Sequence, residues 1–269
     1  MSNVHAAFVG SVPEYYDRYL VPFFFAPFAD DLILRIKKRP RLRVLELACG
    51  TGVVTERLLR SLDTTAQIAA TDLNEEMLAV ARAKHGKDAR VSWRQADAMT
   101  LPFDDASFDA VVCQFGWMFF PDKAGAMREA RRVLASGGQL AFNTWDRIET
   151  CPVPAEADKA IRVCFPANPP TFYETPFSMH DAEAIRGIAA SAGFANVNVE
   201  RISREGARLK PAEAASGIVR GAPFAAEIME RGGDVGAVEA AVAEHLTTCF
   251  GADPFPSPMR ALAWTAVAI

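Results

Sequence analysis

Between residues 42 and 146 the chain alternates short apolar runs with stretches whose apolar residues recur every three or four positions. The runs at 42–47, 67–71, 90–94, 108–114 and 138–144 have the length and composition of buried strands, and a near-continuous apolar run suits a parallel strand covered on both faces. Helices are predicted between them, over about 53–62, 75–85 and 122–134. Glu75 and Glu76 fall in the first turn of the second, where the helix dipole favours acids. Gly137-Gly138 ends the third. Regular alternation of this kind predicts a doubly wound α/β sheet, with ligands outside the carboxyl ends of its strands.

The flanks are less regular. Residues 146–178 are rich in proline and aromatic side chains, which suggests an insertion over the C-terminal edge of the sheet. Ser178, followed by Met-His-Asp181, predicts a capping box opening a helix that runs to Ala192, with Gly193 ending it. A sixth strand is expected at 197–202, helices over 211–249 with a break at Gly232-Gly233, and a last buried strand at 261–269. The whole chain, 1–269, reads as a single domain: an N-terminal segment 1–40, a core 41–146, and a remainder 147–269 holding insertions after strands five and six, helices and the last two strands.

Bulk properties narrow the function. Half of the 269 residues are hydrophobic, 23% are charged, and the formal net charge is −4. That is an ordinary globular balance, and it argues against a general nucleic-acid binder. The five cysteines (49, 113, 151, 164, 249) form no C-x-x-C pair and are odd in number. They read as reduced cytoplasmic thiols rather than a disulfide framework or a zinc site. The N-terminus lacks the pattern of a signal peptide, and the apolar run 20–29 is too short to span a bilayer and carries two prolines. A cytoplasmic protein without stable membrane insertion is expected.

The most informative stretch is Val44-Leu-Glu-Leu-Ala-Cys-Gly-Thr-Gly52. A strand, a glycine turn and a helix N-terminus make a cradle where backbone N–H groups meet a ligand. A dinucleotide fingerprint needs a third glycine three residues after the second, and here that position is Thr55. Glu46, four residues before Gly50, would repel pyrophosphate but can hold an ammonium group. A ligand with an amino-acid tail and an adenosine body fits better than NAD. Asp72, at the end of strand two, can accept two hydrogen bonds from ribose hydroxyls; its alternative role is to cap the helix opening at Asn74. Leu73 and Met77 either sandwich an adenine ring or pack the core. Cys49 has no histidine nearby in sequence and reads as a small residue in a tight loop, not a nucleophile.

These residues resemble the first motif, E-x-x-x-G-x-G, of the class I S-adenosylmethionine-dependent methyltransferases, and are most similar to the small-molecule group that includes the ubiquinone and menaquinone biosynthesis enzymes. Residues 70–77, 95–103, 108–122 and 132–140 resemble the following motifs in the expected order, so the resemblance covers roughly 40–146. It implies a seven-stranded Rossmann-like sheet with the last strand antiparallel and S-adenosyl-L-methionine as cofactor. It implies Glu46, Ala48, Gly50, Gly52, Asp72, Leu73, Met77, Asp97, Ala98 and Met99 as cofactor-binding residues, with Asp97 on the adenine amino group and Ala98 offering a backbone N–H. Gln114, ending strand four, would face the same opening.

The resemblance also implies an N-terminal helical lid folding over the cofactor. Tyr16 and Tyr19 share a helical face at i, i+3 and are candidates to touch the methionine end, or simply to pack the lid down. Phe23, Phe24, Phe25 and Phe28 before the sheet, with Trp145, Phe165, Phe172, Tyr173 and Phe177 after it, can converge into an apolar pocket or serve as core. The expected reaction is therefore methyl transfer to a small, apolar or aromatic molecule. No general base and no oligomeric state can be named. The rival readings are a non-catalytic binder of the same cofactor, an NAD-dependent oxidoreductase, and a methyltransferase acting on protein or nucleic acid.

Overall fold

The apolar runs pair into one seven-stranded sheet in a computed structural model that describes residues 8–269, with strand order β3-β2-β1-β4-β5-β7-β6. The strands are β1 (Arg43–Glu46), β2 (Gln67–Asp72), β3 (Val91–Gln95), β4 (Phe108–Gln114), β5 (Leu134–Trp145), β6 (Phe194–Glu205) and β7 (Pro258–Ala268). β1 to β5 pair in parallel, and β7 runs antiparallel between β5 and β6. The fold is thus the doubly wound sheet with an antiparallel last strand that the sequence implies.

Both faces of the central strands are covered, which explains their continuous apolar character. Leu45, Val111, Cys113, Leu140 and Phe142 pack on one side, with Ala126, Met127 and Ala130 of α5 (Lys123–Val133). Val44, Ala110, Val112 and Ala141 pack on the other, with Leu32 and Ile33 of α2 (Ala26–Leu34) and Val54 and Leu58 of α3 (Val53–Ser61). α4 (Glu75–His85) follows β2.

Several boundaries differ from the sequence expectation, each for a local reason. β5 starts at Leu134, directly after α5, because Gly137 adopts φ 76 and shifts the register between Phe108 and Ala110 of β4. The glycine pair therefore makes a bulge within the strand, not a turn before it. β6 and β7 pair with each other over ten positions and so extend well past the expected 197–202 and begin before 261. α7 (Ala182–Ser191) is capped by Asp181, whose carboxylate accepts from the Glu183 and Ala184 N–H groups, while Ser178 bonds back to the Thr175 carbonyl. The expected capping box at Ser178 does not form.

The insertion after β5 folds as α6 (Pro152–Cys164) and a short 3₁₀ turn, Phe172–Glu174. α8 (Pro211–Arg220), α9 (Phe224–Glu230) and α10 (Val235–Phe250) fill the connection between β6 and β7. Among the described residues, no helix is long and apolar enough to cross a membrane.

The N-terminal segment opens with α1 (Val12–Tyr15), passes through a π-helical stretch, Tyr16–Phe25, and continues into α2. Pro22 lies inside the π-helical stretch and has no N–H to donate, which disfavours α-helical spacing there. Ala26 N–H accordingly bonds to the Val21 carbonyl, five residues back. The loosened carbonyls are satisfied from elsewhere: Ala207 N donates to Pro22 O at 2.8 Å and Gln114 Nε2 to Phe25 O at 2.9 Å. Residues 1–7 of the expected lid lie outside the described residues.

Candidate functional site

β1 and β4 are neighbours whose following chains leave toward opposite sides, and the loops beyond them open a cavity of about 260 Å³. Of the sequence-named candidates, Tyr16, Ala48, Gly50, Asp72, Leu73, Met77, Asp97, Ala98, Met99 and Gln114 line it. Tyr19, Glu46 and Gly52 do not.

The loop after β1 is held by backbone geometry. Ala48 and Gly50 adopt φ 50 and φ 55, and Phe115, after β4, adopts φ 54. Two non-glycine residues in the left-handed region at the edge of one cavity mark strain held by the surrounding structure. Gly116 explains how the loops come so close: a Cβ there would stand 2.6 Å from Ala48 Cβ and 2.7 Å from Cys113 Sγ. At Gly50 a Cβ would project into the cavity mouth, 3.9 Å from Met77 Cε and 4.0 Å from Tyr16 Cε1. The bare backbone at Gly50 thus leaves the cavity mouth open beside Met77 and Tyr16.

Glu46 lies beneath this loop and is buried. Its Oε2 accepts from Thr55 Oγ1 at 2.6 Å, so the residue standing where a dinucleotide site needs glycine is the one that holds the acid. Burial pushes the Glu46 carboxyl up to about 8, against the lowering effect of the Thr55 bonds. Glu46, expected beside the ligand's ammonium group, thus lies buried beneath the loop, held by Thr55, and does not itself line the cavity. Gly52 is the N-cap of α3, and a Cβ there would stand 3.1 Å from His85 Cδ2 and 3.2 Å from Ala81 Cβ; it permits α3 to approach α4. Cys49 is buried, and burial raises its thiol well above the usual range, in keeping with an unreactive residue.

The loops after β2 and β3 supply most of the polar lining. Asp72 Oδ2 accepts from the Gly50 N–H at 2.8 Å and Oδ1 from the Asn74 N–H at 2.9 Å. It therefore ties the first loop to the second while lining the cavity. Burial raises its pKa, and the hydrogen bonds from Asn74 and Gly50 oppose that rise. Leu73 is 52% exposed and lines the cavity. Met77 and Met99 stand across the same space. Asp97 Oδ1 accepts from the Met99 N–H at 2.9 Å, fixing the turn after β3.

The π-helical stretch separates the two tyrosines. Tyr16 lines the cavity and stacks on Phe25 at 5.0 Å, and its phenol is raised by burial and then by the nearby Asp72. Tyr19 instead packs on Tyr15 at 6.1 Å and against Gly217 of α8. Residues three apart share a face in an α-helix, but the wider π turn rotates the second away.

A second cavity, of about 80 Å³, adjoins the first, and Phe8, Tyr16, Phe115 and Phe119 line both. Phe24, Phe25, Trp145, Phe172, Tyr173 and Phe177 are among its walls. Phe23 and Phe28 are instead fully buried in the core, and Phe165 packs where Gly233 leaves room for its ring. Sequence reasoning missed Phe115, Gly116, Phe119, Phe120 and Pro121, although all lie within the motif at 108–122 and directly follow a strand at the switch point. Nothing in the local sequence marked Phe8.

Comparison with known proteins agrees with this geometry. Residues 45–142 match the Methyltransf_11 family, described as a methyltransferase domain. The chain is 32% identical over 173 residues to the ubiquinone/menaquinone biosynthesis C-methyltransferase UbiE of Proteus mirabilis, covering 60% of this chain and 69% of that protein. The match to UbiE of Saccharophagus degradans is similar: 31% over 174 residues, 60% and 70% of the two chains. The Haemonchus contortus phosphoethanolamine N-methyltransferase 2 in complex with S-adenosyl-L-methionine shares the fold at 18% identity, with a TM-score of 0.62 over 100% of this chain and 60% of that one.

The chain belongs to the class I S-adenosylmethionine-dependent methyltransferases. Within them it is an enzyme of the small-molecule group, with S-adenosyl-L-methionine as methyl donor.

Proposed function

We propose that the first cavity holds S-adenosylmethionine and the second holds a small, largely apolar or aromatic acceptor, with Tyr16 at the junction. The observation that carries this reading is the continuity of a polar-edged cavity with an aromatic one through Phe8, Tyr16, Phe115 and Phe119. Asp72 would accept from the ribose hydroxyls, Asp97 from the adenine amino group, and Leu73 and Met77 would flank the ring. The Ala48–Gly50 loop would receive the amino-acid tail. When bound, S-adenosylmethionine supplies a methyl group that its sulfonium makes electrophilic without help.

The protein's own part is then placement and dryness. Phe24, Phe25, Phe172 and Phe177 exclude water from the acceptor side. Among the residues lining the second cavity, the hydroxyl groups belong to Tyr16 and Tyr173. Burial raises both phenols above their usual range. They would act as neutral hydrogen-bond donors to an acceptor oxygen rather than as bases. That favours an acceptor nucleophilic in its own right, such as the electron-rich ring of a quinol, and the names of the UbiE relatives point to C-methylation of such a ring. The aromatic lining of the second cavity and the acidic balance of the chain favour a small substrate, in the cytoplasm, over a polymer. The whole chain would act as one methyltransferase domain.

Labelled methyl transfer to a panel of quinols, phenols, small amines, peptides and oligonucleotides tests the proposal. Turnover is expected on the quinols and phenols. Turnover on peptides or oligonucleotides alone would overturn the small-molecule acceptor, and turnover on hydrophilic amines alone would overturn the apolar one.

A further inference from the structure

On the far side of the insertion, α6 and α10 bring together three side chains that the methyl-transfer site does not use: Glu156, His245 and Cys249. His245 Nε2 lies 2.9 Å from Glu156 Oε2, Cys249 Sγ 3.6 Å from His245 Nε2, and Cys249 Sγ 3.7 Å from Glu156 Oε2. His245 and Cys249 stand one turn apart on α10, so one helix face presents a nitrogen and a sulfur donor together. The expectation that the cysteines form no zinc site rested on the absence of C-x-x-C spacing. A His-x-x-x-Cys pair on a helix meets the same need when a third ligand arrives from a neighbouring element.

We propose that Glu156, His245 and Cys249 form a binding site for a borderline-soft divalent cation of the zinc class. Typical Zn–N, Zn–S and Zn–O bonds in a tetrahedral arrangement put the donor atoms roughly 3.4–3.6 Å apart. The two sulfur distances already match, and the nitrogen–oxygen pair needs to open by only about 0.5 Å. The donor set of one imidazole, one thiol and one carboxylate suits Zn²⁺ better than Mg²⁺ or Ca²⁺, which take oxygen ligands. Lys159 Nζ holds the other carboxylate oxygen of Glu156 at 2.6 Å, which orients the carboxylate while leaving Oε2 for the metal. The three ligands are partly or fully exposed, so a cation reaches them from solvent and a water completes the fourth position. Metal there would clip α6 to α10. α6 also carries Pro154, a wall of the aromatic cavity, so the clip would fix one side of the acceptor site.

The competing reading is a plain Glu156–His245 ion pair with a bystander thiol. Titrating the intact protein with Co²⁺ separates the two. A tetrahedral site containing Cys249 is expected to give a thiolate-to-cobalt charge-transfer band and intense visible bands at one equivalent, both erased by Zn²⁺. Cys249→Ser should abolish the charge-transfer band, and His245→Ala should weaken Zn²⁺ binding by at least the roughly 10–100-fold that loss of an outer-shell partner costs. Cys164→Ser, at another exposed thiol, should leave both unchanged. Binding of S-adenosylhomocysteine reports that each variant is folded. Absence of saturable Co²⁺ binding in the wild type, or a signal that survives Cys249→Ser and His245→Ala, would overturn the proposal.

Discussion

The two cavities that meet at Tyr16 are built in opposite ways. The first is shaped by backbone: its walls follow directly from the ends of β1, β2, β3 and β4, all between residues 48 and 121 apart from Phe8 and Tyr16. Left-handed residues at Ala48, Gly50 and Phe115 set its outline, and Gly116 lets two loops touch. The second is shaped by side chains: its rings and aliphatic groups come from segments as distant as Phe24, Trp145, Phe177, Ile218 and Met259. A backbone-built site tolerates little change and suits a ligand that never varies. A site walled by rings can be retuned one ring at a time, which suits an acceptor that differs between relatives.

The largest effect is expected where the backbone leaves the least room. Gly50→Val forces a branched residue into φ 55, at a cost of about 1–3 kcal/mol, and fills the cavity mouth beside Met77 and Tyr16. Calorimetry should find S-adenosylhomocysteine binding abolished, while near-ultraviolet circular dichroism reports intact aromatic packing. Retained affinity would show that the cradle is not where the cofactor tail lies.

The next effect concerns Glu46, whose folded carboxyl stands at about 8 against 4.5 when unperturbed. Between these values the folded state holds a proton that the unfolded state has released. The contribution is therefore fully present below pH 4.5 and is lost as pH rises through about 8. A shift of this size is worth on the order of a few kcal/mol. Glu46→Gln, which keeps an oxygen for Thr55, should flatten the decline in urea-unfolding stability between pH 5 and pH 9. Equal pH slopes in wild type and variant would mean the carboxylate is ionised in the fold.

This contrast also explains what the sequence could reveal. Strands β1 to β5 and the positions of Gly50 and Asp72 were legible because each depends on neighbours within a few residues, an apolar run, a turn or a cap, whereas Asp97 came from the family resemblance alone. The burial of Glu46 was not legible, since it follows from Thr55 and from loop closure over it. The tyrosine pair was misread for a comparable reason. Helical periodicity assumes an α-helix, and Pro22 imposes a wider turn. Phe23, Phe28 and Phe165 could not be sorted from Phe24, Phe25 and Phe172 because the choice between core and cavity depends on contacts distant in sequence, such as Phe23 with Phe255, Phe28 with Trp145 and Phe165 beside Gly233.

Asp72→Ala tests whether the cavity's polar floor acts on the ligand or only on the protein. Removing the carboxylate strips partners from the Gly50 and Asn74 N–H groups and, on the proposed reading, from two ribose hydroxyls. S-Adenosylhomocysteine affinity should fall by about 1–3 kcal/mol, or roughly 5–150-fold, with a melting temperature also lowered. Adenosine serves as the internal control, because it keeps the ribose and lacks the amino-acid tail. If its affinity does not change while the melting temperature falls, Asp72 serves the loops alone.

The smallest and sharpest comparison sets Tyr16 against Tyr19. Tyr16 stacks on Phe25, meets Phe8 edge-on at 6.0 Å and borders both cavities. A ring there can attract a sulfonium charge, which is worth about 0.5–2 kcal/mol depending on desolvation. Tyr16→Ala should therefore weaken S-adenosylmethionine more than the uncharged S-adenosylhomocysteine, and should also raise KM for the acceptor. Tyr19 borders neither cavity, and its ring lies against Tyr15 and below the Arg18 guanidinium at 5.1 Å. Tyr19→Ala should leave both ligand affinities within about twofold, the change expected of a substitution remote from the ligand. The pair forms its own control because the two residues are three apart in one helical segment, so general loosening of that segment would affect both variants alike. Equal losses at Tyr16 and Tyr19 would place the effect in the packing of the segment, and a larger loss at Tyr19 would restore the α-helical face that the π-helical turn removes.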